Sequence, residues 1–150
     1  MVPSATLTIR TGTPTDLSSL VAIDSFARSQ FERVEFLSQS LVLGQCVVAA
    51  SEAEAAGFAI LNYSFFGLGF IPLVVVVSAH RRQGIGLRLL ESLERRCTSG
   101  KLFSSANMSN VVAQRLFARA GFVESGRVEN LDAGDPEVIY FKAPNVARER

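Results

Sequence analysis

The chain has 150 residues, 48% of them hydrophobic, and its 15 basic and 14 acidic side chains leave a formal net charge of +1. That length predicts one domain able to bury about two-thirds of its unfolded surface, and that composition excludes a disordered polymer. The balanced charge excludes a global field for nucleic acid or for an anionic membrane surface.

Cys46 and Cys97 lie far apart in apolar stretches, so they predict buried thiols rather than a disulfide framework. With a single histidine they form no zinc-binding spacing, and no metal is expected. The longest apolar run, residues 70–77, is far short of a membrane span. "MVPSATLTIR" at the start lacks the apolar core of a secretion signal, so the expected setting is a reducing cytoplasm.

In chain order, residues 6–10 alternate weakly and predict a first strand. "TPTD" follows, with Thr13 as N-cap, Pro14 at the first helical position and Asp16 in the first turn. Leu17, Leu20, Val21 and Ile23 then supply the apolar side of a helix reaching about Phe26. A second helix is expected over Glu32 to Leu43, stopped at Gly44. "CVVAA" and "GFAILNY", parted by polar "SEAEA", predict a hairpin, and "SFFGLG" a glycine-bearing turn into the strand "FIPLVVVV".

A well-marked helix comes next: Ile85, Leu89, Leu90, Leu93 and Cys97 fall on one side, with Arg88, Glu91, Glu94 and Arg95 facing out. "KLFSSA" predicts a strand, and residues 110–120 a helix with Ala113, Leu116, Phe117 and Ala120 inward, ended by Gly121. "FVESGRVEN" and "EVIYFK" close the chain as a hairpin across "LDAGDP". No internal repeat or linker divides the chain, so residues 1–150 are expected to form a single mixed α/β domain with one sheet.

The junction "VVVVSAHRRQGIGLRLL" carries the chemistry. Gly84 and Gly86 stand one residue apart where strand gives way to helix, behind Arg81 and Arg82. A helix start offers unpaired N–H groups and a partial positive charge, and glycines let a bulky anion approach the backbone. The nucleotide-binding G-x-x-x-x-G-K-[ST] loop is absent, and a dinucleotide fingerprint would need glycine where Leu89 stands. The residues by themselves leave two readings, a phosphate-bearing ligand or a glycine-rich connection with none.

"RRQGIG" resembles the R-x-x-G-x-G/A element of the GNAT superfamily of N-acetyltransferases, again between a hydrophobic strand and an amphipathic helix. "NVVAQRLFARAGF" is similar to that family's second signature, matching at Asn110, Ala113, Leu116, Phe117, Gly121 and Phe122. The resemblance, closest to small bacterial members, spans nearly the whole chain. It implies a GNAT fold: a mixed, mostly antiparallel sheet of six or seven strands flanked by about four helices. It also implies acyl transfer from acetyl-CoA to the amine of a small molecule or peptide, by direct attack in a ternary complex.

In that reading the pyrophosphate sits on Arg81, Arg82, Gln83, Gly84, Ile85, Gly86 and Leu87. The pantetheine arm lies along Val75, Val76 and Val77 and is held by Asn110, with Ala113 and Phe117 beside it. A backbone N–H near Val75 or Val76 would polarise the thioester carbonyl, worth about 2–4 kcal/mol.

Two departures from the family pattern stand out. Phe117 occupies the place where relatives often carry a tyrosine that protonates the leaving thiolate, and "FIPLVVVV" holds no ionisable base. His80 adjoins the arginines and more naturally decorates the turn. The acidic stretch "ENLDAGDPE" offers Asp132, Asp135 and Glu137 for a cationic acceptor, with Asp135 and Glu137 as candidate bases. Phe65 and Phe66 are expected to wall the same acceptor site. A solvated hairpin loop and core packing are the plainer readings of these two stretches. A homodimer is compatible with all of this. The rival function is a catalytically silent acyl-CoA-binding or regulatory module.

Overall fold

A computed structural model describes residues 7–77 and 83–144 of the chain. Seven strands form one mixed sheet in the order β1-β2-β3-β4-β5-β7-β6. They are β1 (Thr8–Thr11), β2 (Cys46–Ala50), β3 (Ala55–Phe65), β4 (Leu68–Val76), β5 (Leu102–Asn107), β6 (Val123–Val128) and β7 (Glu137–Lys142). Four α-helices accompany them: α1 (Leu17–Ile23), α2 (Phe31–Val42), α3 (Ile85–Arg96) and α4 (Val111–Arg119). The β4–β5 pair is parallel, whereas β1–β2, β2–β3, β5–β7 and β6–β7 run antiparallel. No helix among the described residues is long and apolar enough to cross a membrane.

By contact the chain groups into two compact units, residues 1–60 with 73–93 and residues 61–72 with 94–150. In the first unit, Leu20, Leu37 and Leu41 of α1 and α2 pack on Cys46, Val48, Phe58 and Ile60 of β2 and β3. Every residue of β2 is buried, so strand alternation sends Val47 and Ala49 into a covered opposite face as well.

The first helical stretch is shorter than its apolar spacing suggests. Pro14–Asp16 form a 3-10 turn in which the Asp16 carboxylate accepts the Thr13 N–H at 2.8 Å, and α1 then stops at Ile23. Asp24, 1% exposed, turns the chain out of the helix by accepting the Phe26 N–H at 3.0 Å and pairing with Arg33 at 2.7 Å. Such a local side-chain bond competes with the helical ladder.

In the second unit, Leu102, Ser104 and Ala106 of β5 and Val138 and Tyr140 of β7 are buried on one face. Phe117 and Phe122 pack there, with Phe117 5.1 Å from the Tyr140 ring. The other face carries a chain of rings: Phe65 lies 5.3 Å from Phe70 and 4.8 Å from Phe103, which lies 5.3 Å from Phe141. The turn before β4 is tighter than "SFFGLG" implied. Phe65 ends β3 and Leu68 begins β4, so the turn is Phe66 and Gly67, both at positive φ.

The outward position expected for Glu94 is also corrected. Its carboxylate accepts Lys142 Nζ at 2.8 Å and its side chain is 12% exposed. At the sheet's β6 edge the register slips between Glu124 and Arg127, with Gly126 at φ 115° and all six strand residues exposed.

Candidate active site

At the β4–α3 junction, the Gly84 carbonyl accepts the Arg88 N–H at 3.0 Å and so opens α3. Gly84 has φ 76°, a conformation that disfavours a side chain, yet a Cβ built there would meet nothing within 4 Å. The glycine is therefore needed for conformation, and the space beside it is open. Ile85, 2% exposed, anchors the first turn inward, while Gly86 and Leu87 are half-buried and Gln83 is exposed. The amides of this first turn have no helical carbonyl to pair with and carry the positive end of a three-turn helix. His80, Arg81 and Arg82 lie outside the described residues.

Val75, Val76 and Val77 are half-buried. Val77 donates to the Ala56 carbonyl at 2.9 Å, and a Cβ on Gly57 would stand 2.6 Å from the Val75 carbonyl oxygen. Gly57 is thus the residue that lets β3 lie close against this part of β4. The parallel register of β4 with β5 covers Gly69–Ile71 opposite Leu102–Ser104. Buried Ser104 donates its hydroxyl to the Ile71 carbonyl at 2.7 Å, satisfying an acceptor just before Pro72, which has no N–H.

The second cluster joins the β5–α4 turn to the β6–β7 segment. Asn110 caps α4: its Oδ1 accepts the Ala113 N–H at 3.1 Å. Just before it, the Asp135 carboxylate accepts the Ser109 N–H at 3.0 Å and the Ser109 hydroxyl at 2.6 Å. Asn107 Nδ2 donates to Asp132 Oδ2 at 2.9 Å and to the Asp135 carbonyl at 3.3 Å. The Met108 N–H reaches the Pro136 carbonyl at 2.8 Å, and Gln114 Nε2 holds the carbonyls of Asn107 and Met108. Glu137, half-buried, accepts the Ser105 hydroxyl at 2.7 Å.

The structure therefore brings Asp132, Asp135 and Glu137 together with the turn that carries Asn110. It does not bring Phe65 and Phe66 to them. Phe65 stacks beside Phe103 at the start of β5, whereas Glu137 pairs with Asn107 at its end. Four residues of extended chain separate those levels, about 13 Å. Phe66 is 87% exposed at the turn tip. Phe117, 4% exposed and enclosed by Phe122 and Tyr140, offers little surface to a ligand, and Ala113 is half-buried on the same helix.

Ser105, Asn107 and Ser109 were not singled out from sequence. The non-local β5–β7 register sets Ser105 and Asn107 on the same strand face as Glu137, and no local pattern signals it. Among the described residues no group of three or more His, Cys, Asp or Glu could hold a metal ion.

Residues 16–122 match the model of the acetyltransferase (GNAT) family, and the chain belongs to that family. A crystal structure of a GNAT-family acetyltransferase from Bacillus cereus is similar over 91% of this chain and 96% of its own, at 34% identity and a TM-score of 0.85. YncA of Salmonella typhimurium, solved with its cofactor acetyl-CoA, shares the fold at 20% identity and a TM-score of 0.74, covering 93% of this chain and 95% of its own. The ribosomal-protein-S18-alanine N-acetyltransferase of Escherichia coli does so at 22% identity and 0.74, over 92% and 94%. No curated protein sequence matches the chain.

Proposed function

We propose that residues 1–150 form one N-acetyltransferase domain that moves the acetyl group of acetyl-CoA to a primary amine. The observation that carries the donor assignment is Gly84, whose positive φ and open Cβ side stand at the amino end of α3. The pyrophosphate is read onto the amides of residues 83–87, with Arg81 and Arg82 adding charge. Val75, Val76 and Val77 line the pantetheine arm, and Asn110 holds it through Nδ2, because Oδ1 is committed to the α4 cap.

Acetyl-CoA supplies an activated acyl group. The chain's own residues must orient it, stabilise the oxyanion through a backbone N–H near Val75 or Val76, and take a proton from the amine. Of the two carboxylates singled out, Asp135 accepts a Ser109 bond on each oxygen and Glu137 accepts one bond in all, so Glu137 is taken as the base. Ser105 holds one Glu137 oxygen, and the other has no hydrogen bond among the described residues. Phe117 supplies no acid; a thiol with a pKa of about 8.5 leaves readily without one.

Titration calorimetry with acetyl-CoA tests the donor site. Gly84→Val should fold and lose binding, and unchanged affinity in the folded variant would remove the assignment. The absence of a hydroxyl on Phe117 and of an ionisable group on β4 favours a second reading, a silent acyl-CoA-binding module. Release of free CoA with a panel of amines separates the two, and Glu137→Gln should lower kcat while sparing acetyl-CoA affinity.

A further inference from the structure

We propose that Asp135 is a positioning residue for the donor, acting through Ser109 on Asn110, and not a ligand of the acceptor amine. The inference rests on the reading of Asn110 as a pantetheine contact. A carboxylate recruits a cationic substrate best when its oxygens carry no internal bonds. Asp135 is instead half-buried, and each of its oxygens accepts a bond from Ser109, one from the amide and one from the hydroxyl.

The direction of these bonds fixes what they do. Ser109 immediately precedes the α4 cap, and its amide and side chain are both clamped from outside its own segment. The turn is closed by the Asn110 N–H to the Asn107 carbonyl at 2.9 Å, and by the Asn110 Oδ1 bond to Ala113. With Oδ1 held by the helix and the preceding residue held by Asp135, the remaining amide Nδ2 has little rotational freedom. Two positions earlier in the turn, Asp132 accepts a bond from the Asn107 side chain. The β6–β7 segment thereby braces the turn that carries Asn110, with Asp132 and Asp135 both bonded to that turn. Charge-assisted bonds of this kind are the strong ones, so releasing them frees the cap appreciably.

Acetyl-CoA titration of Asp135→Ala, Asp135→Asn, Ser109→Ala and Asn110→Ala tests this without any acceptor. Asp135→Ala should weaken binding about tenfold, the loss of about 1.4 kcal/mol. Asp135→Asn keeps one side-chain oxygen for Ser109 and should recover part of that loss. Asp135→Ala added to Asn110→Ala should cost little more than Asn110→Ala alone, since the two act through one group.

A brace that only stabilised the fold would lower Tm and leave the affinity of the folded protein unchanged. Parental affinity in folded Asp135→Ala or Asp135→Asn, with Asn110→Ala weakened, overturns the positioning role and leaves the donor site standing. Parental affinity in Asn110→Ala instead sinks the reading of Asn110, and the inference with it.

Discussion

The rings of Phe117 and Tyr140 pack in a tilted pair with centroids 5.1 Å apart and planes inclined by 32°, and only the partner on β7 carries a hydroxyl. Each residue is 4% exposed. Phe117→Ala should therefore cost about 3–5 kcal/mol, as truncation of a packed aromatic does. Phe117→Tyr adds an oxygen to an enclosed ring and should cost about 1–3 kcal/mol. Urea unfolding reads both. A Tyr variant as stable as the parent and faster in kcat would show that the ring edge reaches the leaving sulfur after all.

Tyr140 has the opposite problem. Its hydroxyl is buried with no hydrogen bond among the described residues, and burial, then the Glu124 charge, raise its pKa above the usual value. Because the folded value is raised, the associated stability is whole below about pH 10 and is lost as pH rises through the folded value. Tyr140→Phe should be neutral or stabilising by up to about 1 kcal/mol at neutral pH and should remove this alkaline loss. A clear destabilisation in thermal unfolding would mean that the hydroxyl has a partner.

Lys142 joins two helices. Its Nζ donates to Glu94 of α3 at 2.8 Å and to the Ala120 carbonyl at the end of α4 at 2.7 Å. With side chains 19% and 12% exposed, the ion pair is mostly out of water. Lys142→Met should cost about 1–3 kcal/mol, chiefly through loss of the bonds to Glu94 and to the Ala120 carbonyl. Adding Glu94→Leu should recover part of it. A double-mutant cycle in urea measures the coupling, and strict additivity would contradict the pairing.

Arg10 grips both Asp16 oxygens at 2.8 Å, and this bond, helped by the Thr13 amide, holds the Asp16 pKa down to about 2. The depressed value places the stabilisation above the unfolded pKa of about 4, with loss as pH falls from there through the folded value. Arg10 is 47% exposed, so solvent screening limits the effect to about 1 kcal/mol. Asp16→Asn should flatten the stability curve between about pH 4 and pH 2, measured by unfolding at each pH. An unchanged acid limb would mean the pair contributes nothing.

Much of the fold was legible because its signals are local. The apolar spacing of α3 and α4, the stop at Gly121 and the register-defining hairpin "LDAGDP" need no distant partner to be read. The glycine-bearing start of α3 at Gly84 was legible for the same reason. What escaped reading depends on residues far apart in sequence. Glu94 looked solvent-facing until Lys142, forty-eight positions on, was placed against it. Asp135 looked like a free charge until Ser109 was seen to occupy both its oxygens. Asp24 stopped α1 early through Arg33, which helical periodicity does not register.

The slipped register of β6 bears on how copies of the chain can meet. A regular outer strand offers a row of free amides and carbonyls on which a neighbour can add, edge to edge. Here Gly126 and the slip between Glu124 and Arg127 break that row and place opposite charges along it. Pairing across this border would have to flatten the bulge and desolvate both charges. The border thus resists growth of the sheet past β6, and an added strand there would have to displace charge as well as water.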